Sequence, residues 1–306
     1  MKIFVEMSYL KDEDFIYLEK TFPEIEFIND VHHAYDSCAI LSMPGFLSKD
    51  NLDKFNQLEW VFVLTAGYDT LDLDYFKHRH ITLVNAKDVF SIQIAEDVFA
   101  KILYLNRNYH IYESQRQIGL WKHHAVNYEI AESTVGIIGT GSIGIEVAKR
   151  MKAFGARTLG YRRTKKAVPY IDELYTTKDG LDQLYAQSDY IIVSIPLDSH
   201  TKHLIDKKAF ETMKDSALVI NVARGLVIDQ EAMIHALKTK KIRGVGLDVT
   251  TPEPLPSDHE LWKLDSVYIT PHNASASPHV RKRLIKQVIS AISKYFNHEM
   301  FDNIVV

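Results

Sequence analysis

The sequence predicts an α/β protein with parallel sheets, organised as two domains. Short apolar runs alternate along the chain with segments of helical periodicity, and this alternation of strands and helices is typical of parallel sheets. One strand candidate leads directly into a glycine-rich turn and a helix candidate, at residues 135–155. The length of 306 residues exceeds what a single hydrophobic core usually serves, which favours two domains.

Composition and charge exclude several classes of protein. The net charge of −4 gives no global basic field that would recruit nucleic acid or anionic lipid. The chain has no run of about 18 apolar residues, and its first residues, MKIFVEMSYL, lack the apolar core of a signal peptide. Its single cysteine, Cys38, has no intrachain disulfide partner. We therefore expect a cytoplasmic protein with no nucleic-acid or membrane partner.

The N-terminal part of the chain is predicted to form a small α/β unit, with a helix at residues 12–22. Its strands are predicted from apolar runs at residues 2–6, 26–28, 38–41, 60–64 and 81–84. The loop after the fourth run contains Ala66 and Gly67. Ligands of open α/β sheets bind at the carboxyl ends of strands, so the N–H groups of this loop could hold a carboxylate. An ordinary turn is the alternative interpretation.

A long helix is predicted at residues 91–113, and its length suits an element that bridges two domains. Its apolar stripe is formed by Ile94, Val98, Ile102 and Leu105. The following residues 115–127 are irregular and polar, with Trp121 predicted to be exposed. His123 and His124 are adjacent, but no third ligand lies nearby in the sequence, so we predict no metal site.

The glycine-rich turn has the spacing G-x-G-x-x-G and lies between a strand predicted at residues 135–138 and a helix. In this context the first glycine allows a tight turn, the second lets the backbone approach a pyrophosphate, and the third lets the helix pack on the strand. The helix N-terminus adds free N–H groups and a positive dipole end. The turn therefore predicts a dinucleotide site formed by Gly139, Thr140, Gly141, Ser142, Ile143 and Gly144.

The residue after the second strand, predicted at residues 157–161, indicates which dinucleotide is bound. A site for NAD has Asp or Glu about 20 residues after the turn, where it accepts hydrogen bonds from the ribose 2′-OH. This chain has Arg162 there, followed by Arg163, and a guanidinium can bind a 2′-phosphate that a carboxylate would repel. We predict that NADP(H) is preferred and that NAD(H) remains possible. A solvated basic loop is the alternative.

The same alternation continues to the end of the chain. Further strands are predicted at residues 190–195, 217–222, 245–249 and 267–270. Helices are predicted at residues 181–187, 229–237 and 278–296, and Asp229 is the predicted N-cap of the second.

Three polar residues follow the last three predicted strands: Arg224, Glu253 and His272. The carboxyl ends of parallel strands share one edge, where a nicotinamide would lie. There an arginine can bind the carboxylate and carbonyl of a 2-oxoacid, and a protonated histidine can give its proton to the oxygen as hydride reaches carbon. A glutamate beside the histidine favours its charged form. Each residue alone is compatible with an ordinary loop, but together they indicate a catalytic set.

These motifs resemble those of the D-isomer-specific 2-hydroxyacid dehydrogenase family. The matching stretches are LTAGYD, IAEDVFAKILYLNR, GIIGTGSIG, INVARGLVID, GVGLDVTTPEPLP and ITPHNAS. The resemblance implies that Arg224 binds the substrate, that His272 donates the proton and that Glu253 pairs with it. It also implies that Asp248 receives the nicotinamide carboxamide and that the amides of Ala66 and Gly67 hold the substrate carboxylate. Segments matching the cofactor cleft contain Ser194, Ile195, Pro196, Val222 and Ala223.

The resemblance further implies how the domains are arranged. A Rossmann cofactor domain, residues 98–273, would be inserted in a flavodoxin-like substrate domain formed by residues 1–97 and 274–306. The cleft between them would close on the substrate and exclude water. The family is usually dimeric through its cofactor domain, so a homodimer is expected, with residues 109–121 in the contact.

One departure bears on the cofactor, since most family members carry an acidic residue where this chain has Arg162. The chain is therefore similar to the NADPH-preferring reductases of the family. We predict an oxidoreductase acting on the CH–OH group, which reduces a 2-oxoacid with NADPH to an (R)-2-hydroxyacid. Glyoxylate, hydroxypyruvate, phenylpyruvate and branched 2-oxoacids all fit the same three residues. The alternatives are a dinucleotide-sensing, corepressor-like binding protein and an NAD-dependent phosphoglycerate dehydrogenase, which Arg162 disfavours.

Overall fold

A computed structural model describes residues 1–123 and 126–306. Contacts between residues divide the chain into a first unit, Met1–Phe90 with Ser277–Val306, and a second unit, Ser91–Ala276. The first unit is discontinuous in sequence because its last segment follows the whole of the second unit. Within the described residues, no helix combines the length and the apolar character needed to cross a membrane.

The first unit is built on a parallel sheet. Its strands are β1 (Lys2–Val5), β2 (Glu26–Ile28), β3 (Ala39–Ser42), β4 (Trp60–Val63) and β5 (Thr82–Asn85). They lie in the order β2-β1-β3-β4-β5, and every neighbouring pair is parallel. This is the 2-1-3-4-5 order of flavodoxin-like sheets. Its helices are α1 (Asp12–Thr21), α2 (Lys49–Leu52), α3 (Leu73–His78) and α10 (Val280–Phe296).

The core of the first unit explains why the C-terminal segment belongs to it. The central strands β3 and β4 are buried throughout, which accounts for their continuous apolar sequences. Leu284 and Val288 of α10 lie in the same core as β1. After α10 the chain runs along β5, where the amide of Val305 donates a 2.8 Å hydrogen bond to the carbonyl oxygen of Leu83. This pairing covers the edge of the sheet.

The second unit has a larger parallel sheet. Its strands are β6 (Thr134–Ile138), β7 (Arg157–Tyr161), β8 (Glu173–Tyr175), β9 (Tyr190–Val193), β10 (Leu218–Asn221), β11 (Gly244–Leu247) and β12 (Val267–Ile269). They lie in the order β12-β11-β10-β9-β6-β7-β8, with all neighbours parallel. Counted from β6, this is the doubly wound 3-2-1-4-5-6 order of a Rossmann sheet with one further strand. The predicted fold class is confirmed.

The helices of the second unit are α4 (Ser91–Asn106), α5 (Tyr109–Gln117), α6 (Ser142–Ala153), α7 (Lys178–Gln187), α8 (Lys207–Thr212) and α9 (Gln230–Lys238). Asp229 caps α9 as predicted, because its side chain accepts a hydrogen bond from the amide of Ala232. The elements α3, α8 and β8 were absent from the prediction, since three to six residues carry too few positions to reveal a period.

The prediction of a single helix at residues 91–113 is wrong. The first helix ends at Asn106 and the next begins at Tyr109. Between them Asn108 adopts a left-handed conformation with φ of 55°. Its side-chain amide donates a 2.8 Å hydrogen bond to the carbonyl oxygen of Val126. A polar contact with a distant part of the chain therefore stabilises the break, which helical periodicity could not reveal.

Candidate active site

The glycine turn between β6 and α6 is closely packed on one side. Gly139 has a φ of +97°, and a Cβ atom there would lie 2.6 Å from the carbonyl oxygen of Ser194. A Cβ atom on Gly144 would lie 2.3 Å from the carbonyl oxygen of Gly139. Both positions therefore require glycine, the first for the turn and the second for the close approach of α6 to the strand.

The same turn is open at Gly141, the N-cap of α6. Among the described residues, nothing lies within 4 Å of where its Cβ atom would be. The backbone there is uncovered beside the first turn of a helix, whose N–H groups and dipole favour an anion. Ser142 and Ile143, the first residues of α6, are half-buried. The residues present therefore fit the pyrophosphate of a dinucleotide.

Thr140 occupies the turn differently from its glycine neighbours. It is 3% exposed, and its Cγ2 atom would lie 2.7 Å from a Cβ atom on Gly160 of β7. Its hydroxyl has no hydrogen-bond partner among the described residues. The side chain therefore packs inward, and the backbone of Thr140 is the part that can face a ligand.

The two arginines after β7 differ in their surroundings. Arg163 Nη1 lies 3.2 Å from Oδ2 of Asp198, whereas Arg162 is half-buried and its side chain forms no hydrogen bond or ion pair with the described residues. Partial burial favours a higher pKa for Asp198, but hydrogen bonds from His200 and Thr201 and the Arg163 charge outweigh it and hold that pKa below its ordinary value. A charged partner thus engages Arg163 and leaves Arg162 available.

The other predicted cleft segments follow the carboxyl ends of β9 and β10. Ser194 Oγ donates a 2.8 Å hydrogen bond to the carbonyl oxygen of Gly139, which ties this segment to the glycine turn. Ile195, Val222 and Ala223 are buried, and Pro196 is exposed. The segment after β9 therefore lies beside the predicted dinucleotide site.

Two of the three predicted catalytic residues are in contact. His272 Nδ1 lies 2.8 Å from Glu253 Oε2, and the two side chains are 49% and 37% exposed. The second carboxylate oxygen, Oε1, accepts a 3.0 Å hydrogen bond from the amide of Thr250. Glu253 is thus fixed by its own loop, and its contact with Nδ1 leaves Nε2 as the ring nitrogen that can reach a ligand.

The backbone of His272 is held by Asp248, which is 3% exposed at the end of β11. The amide of His272 donates a 2.8 Å hydrogen bond to the carbonyl oxygen of Asp248. The Asp248 carboxylate accepts hydrogen bonds from the Thr270 hydroxyl and from the amides of Asn273 and Ala274, at 2.6, 2.9 and 3.0 Å. These contacts support the left-handed φ of 51° at His272.

Arg224 follows β10 in an extended conformation and is half-buried. Its Nη1 donates a 2.7 Å hydrogen bond to the carbonyl oxygen of Ala223, and its own carbonyl oxygen accepts one from the Asn221 side chain. A Cβ atom on the next residue, Gly225, would lie 2.1 Å from the carbonyl oxygen of Thr250. The loop of Arg224 therefore packs directly against the loop that leads to Glu253.

Ala66 and Gly67 lie in the first unit, in the loop after β4. The side-chain amide of Asn85 donates a 2.7 Å hydrogen bond to the carbonyl oxygen of Ala66, and the Thr65 hydroxyl donates one of 2.7 Å to the carbonyl oxygen of Gly67. Among the described residues, no hydrogen bond from the amides at positions 66–68 is present. These amides are therefore available to an anion. The two side chains that orient the loop, Asn85 and Thr65, were not predicted from the sequence.

The described residues contain no group of three or more His, Cys, Asp or Glu side chains that could hold a metal ion. Trp121 is 91% exposed, as predicted. His124, considered above beside His123, lies outside the described residues.

A doubly wound sheet with this glycine turn defines the class of dinucleotide-binding α/β proteins. Residues 99–274 match the description "D-isomer specific 2-hydroxyacid dehydrogenase, NAD binding domain". A glyoxylate reductase of Pyrococcus horikoshii is 36% identical over 252 residues, covering 79% of this chain and 74% of the relative. A D-3-phosphoglycerate dehydrogenase of Methanocaldococcus jannaschii is 32% identical and covers 85% of this chain, which spans 49% of that relative.

Several solved structures are similar to this chain over its whole length. A D-isomer specific 2-hydroxyacid dehydrogenase family protein from Aeromonas salmonicida has a TM-score of 0.89 at 28% identity, covering 100% of this chain and 98% of that one. A family member from Xanthobacter autotrophicus in complex with NADPH has a TM-score of 0.85 at 25% identity, with coverages of 100% and 98%. The D-lactate dehydrogenase of Aquifex aeolicus, in complex with NAD and lactic acid, has a TM-score of 0.81 at 25% identity, with coverages of 100% and 99%.

The chain belongs to the D-isomer specific 2-hydroxyacid dehydrogenase family. It is an NAD(P)-dependent oxidoreductase acting on a CH–OH group, as the sequence predicts.

Proposed function

We propose that the protein reduces a 2-oxoacid with NADPH and releases an (R)-2-hydroxyacid. The observation that carries this proposal is the 2.8 Å contact between His272 and Glu253, which places a histidine–carboxylate pair beyond the carboxyl ends of two strands in a dinucleotide-binding sheet. In this proposal residues 98–273 form the cofactor domain, and residues 1–97 with 274–306 form the substrate domain.

His272 supplies the proton. When bound, the reduced nicotinamide supplies a hydride to the carbonyl carbon, and the carbonyl oxygen then needs a proton. The Glu253 carboxylate contacts Nδ1 of His272 and orients the ring, so Nε2–H of the protonated histidine can donate to that oxygen. The products are a C–H bond, an O–H bond and a neutral imidazole, which regains its proton from water.

Arg224 and the loop at positions 66–68 bind the acid group. A guanidinium forms paired hydrogen bonds to a carboxylate and a neighbouring carbonyl, which polarises the carbonyl for reduction. The uncommitted amides of Ala66 and Gly67 give the carboxylate further donors. These contacts recognise the 2-oxoacid group shared by all candidate substrates, so the side-chain preference is set elsewhere.

The cofactor would bind at the glycine turn. The pyrophosphate would lie against the backbone from Gly139 to Gly144 and the first turn of α6. The segments Ser194–Pro196 and Val222–Ala223 would flank the nicotinamide half. Asp248 would accept the carboxamide N–H at Oδ2, where its own turn leaves one acceptor position unused.

The preference for NADPH rests on Arg162. Arg163 is engaged by Asp198, whereas the Arg162 side chain has no partner among the described residues and lies where an NAD site has a carboxylate. A free guanidinium at this point favours a 2′-phosphate over a 2′-hydroxyl.

A homodimer is part of the proposal. The segment at residues 109–121 exposes Tyr109, Ile118, Leu120 and Trp121, which are 53%, 76%, 47% and 91% exposed. Large apolar side chains grouped in this way are typical of contact surfaces. Sedimentation equilibrium should give a dimer mass for the wild type and a monomer mass for Trp121→Glu with Ile118→Glu. A monomeric wild type at micromolar concentration would refute the dimer.

The function is tested by steady-state oxidation of NADPH and NADH, side by side, with glyoxylate, hydroxypyruvate, pyruvate, phenylpyruvate and 2-oxoisocaproate. We expect turnover with NADPH, and glyoxylate is the first substrate to try because the relative from Pyrococcus horikoshii is a glyoxylate reductase. Preference for NADH would overturn the cofactor proposal alone. Dinucleotide binding without turnover of any 2-oxoacid would favour the sensing protein, and oxidation of phosphoglycerate with NAD would favour the phosphoglycerate dehydrogenase.

A further inference from the structure

The second unit contains a buried lysine that the proposed chemistry does not use. The side chain of Lys101, on α4, is 0% exposed. A Cβ atom on Gly246 of β11 would lie 3.0 Å from Cβ and 3.2 Å from Cδ of Lys101. The glycine therefore leaves room for the lysine stem to pass over the sheet. Lysine is almost never fully buried unless its charge is paired, so the partners of Lys101 show what it does.

The ammonium group lies between two carboxylates. Lys101 Nζ donates a hydrogen bond to Asp97 Oδ2, one helical turn earlier, and lies 4.0 Å from Oδ1 of Asp248. Asp97 is 21% exposed and Asp248 is 3% exposed. Burial raises the pKa of Asp97, and the nearby charge of Asp248 acts in the same direction, while Lys101 opposes both. One cation thus balances two acids in a site with little water.

Asp248 connects this charge cluster to the predicted proton donor. Its carboxylate accepts hydrogen bonds from the Thr270 hydroxyl and from the amides of Asn273 and Ala274, and its carbonyl oxygen accepts one from the amide of His272. Four hydrogen bonds thus join the turn that carries His272 to this one buried residue. The turn at residues 270–274 therefore depends on the position of Asp248.

We propose that Lys101 is a positioning residue, whose buried ammonium keeps the Asp248 carboxylate in place and thereby holds the turn that carries His272. The lysine acts through Asp248 and does not touch the reacting atoms. The competing explanation is that only the aliphatic stem matters, as packing between α4 and β11.

Lys101→Met separates the two explanations, because methionine fills the position of the stem without the charge. Hydrogen–deuterium exchange of the amides at positions 272–274 reads the Asp248 contacts directly. We expect exchange at least about tenfold faster in Lys101→Met than in the wild type, with unchanged exchange in β6. Unchanged protection at 272–274 would overturn the proposal, as would equal acceleration throughout the second unit. If Lys101→Met does not fold, Lys101→Gln replaces it with the same criteria.

Asp97→Asn is the matched control. This variant keeps an acceptor for the ammonium and removes the negative charge of Asp97, so the ammonium can still pair with Asp248. The protection of the amides at positions 272–274 from exchange should therefore be retained. Acceleration in Asp97→Asn equal to that in Lys101→Met would show that the loss of any polar group in this region loosens the turn, and the proposal would fail.

A kinetic measurement extends the test and rests on the proposed function. Lys101→Met should lower kcat by about tenfold or more, with a smaller rise in the KM for NADPH, because the proton donor and the Asp248 contact to the carboxamide are misplaced while the glycine turn is intact. Lys101→Arg, which restores the cation, should recover part of the loss. Inactivity of the wild type would refute the proposed function and leave the exchange experiment to decide the role of Lys101.

Discussion

The side-chain amide of Asn85, at the end of β5, donates a 2.7 Å hydrogen bond to the carbonyl oxygen of Ala66 in the neighbouring loop. In a trans peptide the carbonyl and the N–H group point in opposite directions, so this bond turns the amide of Gly67 away from the sheet. Asn85 is 6% exposed. Its backbone amide donates a 3.2 Å hydrogen bond to the carbonyl oxygen of Asn303, which holds the residue in place. A buried side chain thus fixes the direction of an amide that the proposed function assigns to the substrate carboxylate.

Asn85→Ala should therefore raise the KM for the 2-oxoacid by about five- to tenfold, the loss expected for one oriented hydrogen bond, with a smaller change in kcat. The measurement is the initial rate against substrate concentration at saturating NADPH. Asn85→Asp, which keeps the size but loses the donor, should have the same effect. An unchanged KM in both variants would contradict a role for this loop in binding the acid group.

His272→Ala should lower turnover by about 10²- to 10⁴-fold, because the product oxygen then takes its proton from water. Binding of NADPH, followed by the fluorescence of the reduced nicotinamide, should be retained. Glu253→Gln keeps the shape of the side chain and removes its charge, so its loss in turnover should be smaller. The exposed His279, on the first unit, provides the control, and His279→Ala should be as active as the wild type. Near-normal turnover in His272→Ala would refute the mechanism.

Arg162→Asp should reverse the cofactor preference. The change removes a cation that can bind the 2′-phosphate and adds a carboxylate that repels it, so the ratio of kcat/KM for NADPH to that for NADH should fall by about 100-fold or more. Arg163→Ala is the comparison, and its effect on the ratio should be much smaller because Asp198 already engages Arg163. Equal use of both dinucleotides by the wild type would exclude this explanation.

Asp172→Asn should destabilise the fold in a pH-dependent way. Partial burial of Asp172 favours a higher pKa, but hydrogen bonds from Lys152 and Thr158 outweigh it and hold the pKa below its ordinary value. A lowered pKa in the folded state stabilises the protein above the pKa of the unfolded state, about 4, and the gain disappears as pH falls through the folded value.

Because the Asp172 side chain is 39% exposed, solvent screening limits this effect to about 1 kcal/mol in the free energy of unfolding at pH 7. Urea unfolding at pH 7 and near pH 3 measures it, and the difference between wild type and Asp172→Asn should be smaller at the lower pH. The control is the same change at an exposed aspartate, Asp265→Asn. An undiminished difference at the lower pH would show that the amide itself disturbs the contacts with Lys152 and Thr158.

Arg243→Ala should destabilise the second unit more strongly. The guanidinium lies 3.9 Å from the ring centroid of Tyr128, and both of its terminal nitrogens donate to Oδ1 of Asn106 at the end of α4. Loss of these contacts should lower the free energy of unfolding by about 2–3 kcal/mol in urea titration. Arg157→Ala, which removes an exposed ion pair to Glu173, should cost less than about 1 kcal/mol. Equal effects would contradict the role of Arg243.

Local sequence patterns were sufficient to predict much of the fold. The strand at residues 157–161 was predicted with the bounds of β7, because apolar runs and glycines carry their signal within a few neighbouring residues. The glycine turn could be predicted for the same reason, since its strand, turn and helix are consecutive in sequence. Arg224, Glu253 and His272 each follow a predicted strand. That they lie at one edge of the sheet could be predicted, because the carboxyl ends of parallel strands share an edge.

By itself, the sequence determined the fold class and the residue types of the site, while the tertiary structure decided how those residues are held. Asn108 breaks a helix that periodicity favours, because its side chain binds a residue far along the chain. The left-handed His272, its contact with Glu253 and the buried Lys101 beside Asp248 depend on strands and helices that are distant in sequence. Such contacts leave no periodic signal, since their stability comes from low dielectric and close packing that exist only after the chain has folded.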